Sequence, residues 1–312
     1  MAARRLANLE KTLSSKPEIR TAYNGVISSH LSKGYIRQVP DAEVLADKSD
    51  QWFLPHFPIV RQDKRTTKVR VVFDTAASWA RHNINCDMHA GPKLQNDIVH
   101  ILLRFSAESV ALVGTSAKCS CDATNELCKY EFNRLVFGLK SSPYLAGRAL
   151  LQTAYDFSSD VTASADLVKL VEDSFNFDDT LHSFPTEAAA LDAQQGLTEL
   201  LGKSGFRLRK WFSNSPSVLQ AIPEEDRAPL ATVDVSSDAH CTLPSSKTLG
   251  ITWLADRDQF TFVYHPRAET QKLTKRAALR KVATIFDPRG QLTPFTMRAR
   301  VLFQELCILG YE

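Results

Sequence analysis

The sequence has no apolar run approaching the roughly 20 residues that cross a bilayer. Its start, Met1-Ala2-Ala3-Arg4-Arg5, leads into a polar helical pattern rather than the apolar core of a secretory signal. The expectation is an intracellular chain, cytoplasmic or nuclear, with no membrane partner. Cysteine is scarce: Cys86, Cys119, Cys121, Cys128, Cys241 and Cys307 are too few and too scattered over 312 residues for a secreted disulfide framework. Cys119, Cys121 and Cys128 cluster, but His100 and His182 lie too far off to complete a zinc site, so free thiols are expected. An excess of either charge is lacking too. A net charge of +3 and a pI near 8.5 neither demand nor exclude a polyanionic partner. There is no internal repeat, no low-complexity tract, and no Asp-Thr/Ser-Gly turn of the kind that lets two peptidase aspartates share a proton. Asp74-Thr75-Ala76 departs at the glycine, which excludes aspartic-peptidase chemistry.

What is present is an ordinary globular composition, 44% hydrophobic and 23% charged, in a chain long enough for one or two domains. Residues 1–50 read as one or two helices leading to Gly34 and a polar linker. The run Trp52 to Val60 and the run Val69 to Phe73, with a polar turn between, predict a β-hairpin. Leu94, Ile98, Ile101, Leu102 and Phe105 recur at helical spacing after Gly91-Pro92, predicting an amphipathic helix with Pro92 in its first turn. Another helix is predicted at Ser142-Pro143, with Ser142 as cap. Leu167 to Phe177 leads to a second hairpin turning at Asp178-Asp179 and returning over Thr180 to Phe184. A helix over Thr186 to Ser204, closed by Gly205, precedes an extended Phe206 to Trp211. Thr248 to Trp253 and Gln259 to Tyr264 read as strands, and the tail from Leu273 as helical with a break at Asp287-Pro288-Arg289-Gly290. Strands and helices mix without a βαβ rhythm, so the fold class is α+β.

In order, these pieces resemble the reverse transcriptase of BEL/Pao-type LTR retrotransposons. The residues that carry the resemblance are Trp52-Phe53-Leu54-Pro55-His56-Phe57-Pro58-Ile59-Val60, Lys68-Val69-Arg70-Val71-Val72-Phe73-Asp74, Asn85-Cys86-Asp87 with Gly91-Pro92-Lys93-Leu94-Gln95, and Val136-Phe137-Gly138 with Ser141-Ser142-Pro143. They continue with Asn176-Phe177-Asp178-Asp179, Gly205-Phe206-Arg207-Leu208 with Lys210-Trp211, Leu249-Gly250-Ile251-Thr252-Trp253, and Ile285-Phe286-Asp287-Pro288. The resemblance implies a right-hand polymerase fold: a helical lead-in over 1–50, fingers and the start of the palm over 51–110, palm over 111–255, and the start of a thumb or connection over 256–312. From about Leu249 onward the chain also resembles a region catalogued with Pao elements as a peptidase. The protease, RNase H and integrase of a complete element are expected outside these residues.

Nucleotide addition in such an enzyme uses two Mg²⁺ ions, hard cations that take carboxylate and phosphate oxygens. The resemblance makes Asp178 the hairpin aspartate that touches metal and Asp179 its neighbour, with a third aspartate from an Asp-x-x-x-x-Phe motif on the first palm strand. That strand begins as Val110-Ala111-Leu112-Val113-Gly114 but continues Thr115-Ser116-Ala117-Lys118-Cys119-Ser120-Cys121. The motif is missing. Asp122 belongs to the stretch leading to Tyr130-Glu131-Phe132, so on the order of 25 residues are absent near 115–128 by comparison with the size of such elements. Asn176 also stands where the family carries an aromatic. The expectation is a catalytically defective polymerase domain, with a non-catalytic nucleic-acid-binding remnant or an unstable pseudogene product as the alternatives.

The other site residues have two readings each. By resemblance Lys68 and Arg70 reach the incoming triphosphate; by alternation they are outward charges on a strand. Ser141, Ser142 and Pro143 match the turn and helix start that line the nascent base pair, where the plain reading is a helix cap, and Phe137 and Gly138 before them are implied in nucleotide or template–primer binding. Lys210 matches the lysine that protonates leaving pyrophosphate, or is a surface charge beside Arg207 and Arg209. Leu249, Gly250 and Trp253 match the primer grip, although an aromatic closing a strand is most often core. The C-terminal excess of basic residues, Arg267, Lys272, Lys275, Arg276, Arg280, Lys281, Arg289, Arg298 and Arg300, would track phosphates in a thumb or form a solvated face. The partners implied are an RNA or DNA template–primer and dNTPs; the oligomeric state stays open.

Overall fold

The computed structural model describes residues 2–40, 52–60, 69–117, 130–162, 164–228, 245–262, 274–282 and 285–310. Lys68, the cysteine cluster at 119–128, Asp122, Arg267 and Lys272 lie outside the described residues, as do residues 118–128 of the segment expected to carry the deletion. The chain divides into two compact units, Met1–Leu94 with Lys118–Leu150 and Gln95–Ala117 with Leu151–Glu312. All strand pairs within the described sheets are antiparallel.

In the first unit, α1 (Ala2–Ser14) and α2 (Pro17–Ser32) bury Leu9, Leu13 and Tyr23 against Leu6, Ile19, Ile27 and Val71. Pro17 begins α2, where its missing N–H costs nothing. Gly34, at φ 64°, reverses the chain into β1 (Ile36–Gln38). The predicted hairpin forms as β2 (His56–Val60) and β3 (Val69–Phe73), with Pro58 opposite Val71. Trp52 to Pro55 precede the strand rather than belonging to it. His56 stacks on Tyr23 with ring centroids 6.0 Å apart, and Phe73 lies between His56 and His30. In chain order α3 (Ile98–Phe105) and β4 (Val110–Ala117), both of the second unit, precede β5 (Tyr130–Phe132), which belongs to the first and pairs with β1, Ile36 opposite Phe132.

Helix α3 corrects the expectation of a helix from Pro92. It starts at Ile98, because the Asp97 carboxylate accepts from Val99 N–H at 2.8 Å and caps it there. Helix α4 (Ser142–Asp156) corrects a second detail. Ser142 is buried within its first turn and donates to Val136 O at 2.7 Å, so it ties the preceding loop to the helix rather than capping it.

The second unit is organised by a four-stranded sheet ordered β6-β7-β4-β8. After α5 (Ser164–Ser174) come β6 (Phe175–Asn176) and β7 (Asp179–Phe184), then α6 (Glu187–Gly202), β8 (Arg207–Ser213) and α7 (Pro216–Ala221). Thr186 caps α6 by accepting from Ala189 N–H, and Gly205 at φ 76° closes it, with Phe206 N–H returning to Leu201 O at 3.1 Å. One sheet face, through Ala111, Val113, Leu181 and Phe212, meets Ile101, Leu102 and Phe105 of α3 and the buried Ile251, Trp253 and Ala255. Leu112 alternates to the opposite face, where α6 lies against β4, β7 and β8 with Leu197, Leu200 and Leu201 fully buried.

The stretch predicted as one strand from Thr248 to Trp253 is instead a hairpin. It turns at Leu249-Gly250, both left-handed at φ 51° and 87°, between β9 (Ser245–Thr248) and β10 (Ile251–Leu254). That two-residue turn matches the strand twist. β11 (Gln259–Thr261) completes the meander. The tail forms α8 (Lys275–Val282) and α9 (Thr293–Ile308), broken near 287–290 as the sequence predicts.

Candidate active site

The hairpin that carries the carboxylates is anchored from its entry side. Asn96 donates to Glu172 O at 2.6 Å and Phe175 O at 3.1 Å, and the Arg104 guanidinium donates to Asp173 O. These donors satisfy carbonyls that the end of α5 leaves without helical partners. The chain then turns over two residues, Phe177 and Asp178, between the pairs Phe175–Thr180 and Asn176–Asp179. Phe177 sits at φ 57° and is 53% exposed, a strained backbone for a bulky side chain.

Asp178 is exposed at the tip, whereas Asp179 is half-buried at the head of β7. The register places Thr115 of β4 directly opposite Asp179, and the Thr115 hydroxyl donates to Asp179 Oδ1 at 2.8 Å. Burial pushes the Asp179 carboxyl above its ordinary range. The Thr115 hydrogen bond opposes that rise, the Asp178 charge adds to it, and the Lys210 ammonium pulls it back.

Lys210 reaches this site through an irregularity in β8. Thr115 pairs with Arg209 and Val113 with Phe212, so Gly114 faces two residues, and Lys210 takes the left-handed φ of 56°. Gly114 is required there. A Cβ on it would stand 2.6 Å from the ring of Trp211, which is fully buried.

The described residues bring two carboxylates together here rather than three: the position facing the hairpin from the neighbouring strand bears a hydroxyl, and among the described residues no cluster of three His, Cys, Asp or Glu could hold a metal. Thr115 is the residue that sequence reading missed. Only its register against Asp179 reveals it.

The remaining predicted residues are dispersed. Asp178, Asp179 and Lys210 come together in the second unit. Arg70, Phe137, Gly138, Ser141, Ser142 and Pro143 belong to the first, with Arg70 and Pro143 exposed and Phe137 86% exposed. Leu249 and Gly250 form the β9–β10 turn, with the Phe286 ring close to Gly250. Trp253, matched by resemblance to the primer grip, lies in the core. It is 2% exposed, packs edge-on against Phe105 and Phe212 at 4.9 and 5.5 Å, and donates its indole N–H to Asp258. Arg289 lies over the Phe260 ring at 5.5 Å and donates to Ser106, whereas Arg276, Arg280, Arg298 and Arg300 are exposed on α8 and α9. Among the described residues no helix is long and apolar enough to cross a membrane.

Residues 274–312 match the family described as the Pao retrotransposon-like RNaseH-like domain. This corrects both the peptidase label expected for that region and the expectation that RNase H sequence lies wholly outside the chain. The matched segment has three acidic residues, Asp287, Glu305 and Glu312. The Asp287 carboxylate is engaged by the N–H groups of Gln291 and Leu292 at 3.0 and 2.6 Å. No curated protein matches the sequence. Among solved structures, a foamy viral protease–reverse transcriptase (dRH) in complex with double-stranded DNA is similar at 16% identity and a TM-score of 0.45, over 82% of this chain and 38% of that one. The chain therefore spans well under half of that protein's length, and at this TM-score the likeness carries no argument. What is shown is a mixed α and β chain whose residues 274–312 are similar to a Pao retrotransposon-like RNaseH-like domain.

Proposed function

We propose that the chain is a reverse-transcriptase-like domain of right-hand type, with fingers and the start of the palm in 51–110 and palm in 111–255, that has lost nucleotidyl transfer and keeps sequence-independent affinity for nucleic acid. One observation carries the reading: the Asp178-Asp179 turn lies beside a strand whose facing residue, Thr115, is a hydrogen-bond donor rather than a carboxylate. An antiparallel sheet backed by helices, with a strained acidic turn at one end, is the layout a palm requires. In an intact enzyme Mg²⁺ supplies charge stabilisation to the attacking and leaving oxygens. Here Asp179 accepts from Thr115, and among the described residues no third carboxylate joins the pair, so on this reading the binding site is incomplete. The exposed arginines of α8 and α9 supply a charge excess suited to phosphates.

The test is primer extension on an RNA template with Mg²⁺ and dNTPs, alongside titration of a labelled primer–template at two salt concentrations. The expected result is no extension but salt-sensitive binding. Extension that Asp178→Ala abolishes contradicts the loss of catalysis, and absence of binding at low salt contradicts the retained affinity.

A further inference from the structure

Helix α9 carries more apolar surface than its own unit covers. At 3.6 residues per turn, Thr296, Ala299, Phe303 and Leu306 share one side, with Thr296 buried and the other three half-buried. The opposite side of a surface helix is ordinarily polar. Here it bears Phe295, 86% exposed, and Ile308, 77% exposed, with Pro294, Val301, Leu302 and Leu309 exposed beside them. Single exposed apolar residues are ordinary, whereas a contiguous stripe of them marks a surface that meets a partner.

Two charges interrupt the stripe, and their placement identifies the partner. Arg298 and Glu305 are both exposed and lie two helical turns apart on the same side. Along that side the order is apolar at 294–295, Arg298, apolar at 301–302, Glu305, apolar at 308–309. Reversing the direction leaves the apolar steps in place and exchanges the two charges. A second α9 laid antiparallel, about a two-fold axis beside Val301 and Leu302, therefore sets Phe295 against Ile308, Arg298 against Glu305 and Val301 against Leu302. Each contact then occurs twice, as an isologous interface requires. A parallel partner would instead set Arg298 against Arg298 and Glu305 against Glu305, which like charges oppose. We propose that this face of α9 pairs antiparallel with the same face of a second copy of the chain, forming a two-fold dimer held by the three apolar steps and two reciprocal Arg298–Glu305 ion pairs. Arg300 lies on another side of α9, and it and the arginines of α8 stay available to phosphates, so the dimer stands independently of the nucleic-acid reading above.

Sedimentation equilibrium of the full chain tests it. A single helix pair is at the small end of specific interfaces, so a dissociation constant of roughly 1–100 µM is expected, and wild type should pass from monomer toward dimer between about 2 and 200 µM. Leu302→Asp should weaken the dimer at least about tenfold by placing a charge at the two-fold axis. Arg298→Glu and Glu305→Arg should each do the same, because like charges then face each other at both reciprocal positions. Mixing equal amounts of the Arg298→Glu chain and the Glu305→Arg chain should restore a dimer containing one of each, since every facing pair is again of opposite sign. Melting curves at the lowest concentration show whether each variant is folded; should one melt early, the others carry the test. A wild-type chain that stays monomeric throughout overturns the proposal, whether another protein or further polypeptide then covers the stripe. So does a dimer that the folded variants leave intact, and folded charge variants that fail to combine overturn the antiparallel pairing.

Discussion

Replacing Gly114 by alanine tests the packing that sets Thr115 opposite Asp179. The added Cβ would stand 2.6, 2.7 and 3.0 Å from three ring carbons of Trp211, against the roughly 3.5–4.0 Å of unstrained carbon contacts. One of the two must move by about 1 Å. The ring has little room to do so, because Trp211 is fully buried, and Gly114 sits in a strand paired on both sides, with Thr180 across one edge. Overpacking of this kind costs about 1–3 kcal/mol. Removing a strand glycine returns about 0.5–1 kcal/mol by restricting the unfolded chain. The balance is a destabilisation of about 1–2 kcal/mol. Urea unfolding followed by far-UV circular dichroism measures it without relying on the fluorescence of the perturbed tryptophan. Trp211→Leu should relieve the clash, so the double variant should show a coupling of at least about 1 kcal/mol in favour of the pair. A Gly114→Ala chain as stable as wild type would refute the close approach and with it the register that places Thr115.

Two further outcomes follow from strain and from buried imidazoles. Phe177→Gly removes the left-handed penalty at the hairpin tip and should raise stability by up to about 1 kcal/mol, measured by the same unfolding curves; a loss of stability would show that the exposed ring contributes more than the backbone strain costs. Burial lowers the pKa of His30, His56 and His182, with Lys33 adding to the effect at His30 and Arg104 at His182. The unfolded chain therefore takes up protons first, so the stability these groups contribute is complete above pH ~6.5 and is lost as pH falls through their lowered folded values. Melting temperature should drop between pH 7 and pH 5, and His56→Gln should flatten part of that slope; a melting temperature independent of pH in that window would contradict the burial.

Much of the fold was legible because its signals are local. The alternation in Val69 to Phe73, the capping Thr186, the closing Gly205 and the break at Asp287 to Gly290 each act within a few residues of where they stand. The failures are long-range or competitive. Pairing of Ile36 with Phe132 has no signature in either segment. Asp97 outcompetes Pro92 as the start of α3, because a side-chain acceptor fixes the first turn, whereas proline only permits it. Leu249-Gly250 hides a turn inside an apolar run, since leucine seldom takes a left-handed φ. At the candidate site the acidic pair was visible in the sequence, and its reading as a site came from the resemblance of the motifs around it. Thr115 was not, because its meaning lies in sheet register.

Titration with Mn²⁺, followed by water-proton relaxation, tests the central claim most directly, comparing the wild-type chain, Thr115→Asp, and Thr115→Asp combined with Asp178→Ala. If Thr115 stands where a third carboxylate would complete the site, the wild type shows no saturable sub-millimolar binding, Thr115→Asp gains it, and the added Asp178→Ala removes it again. Saturable binding by the wild-type chain that Asp178→Ala abolishes, or a Thr115→Asp chain that folds and gains nothing, would contradict the account.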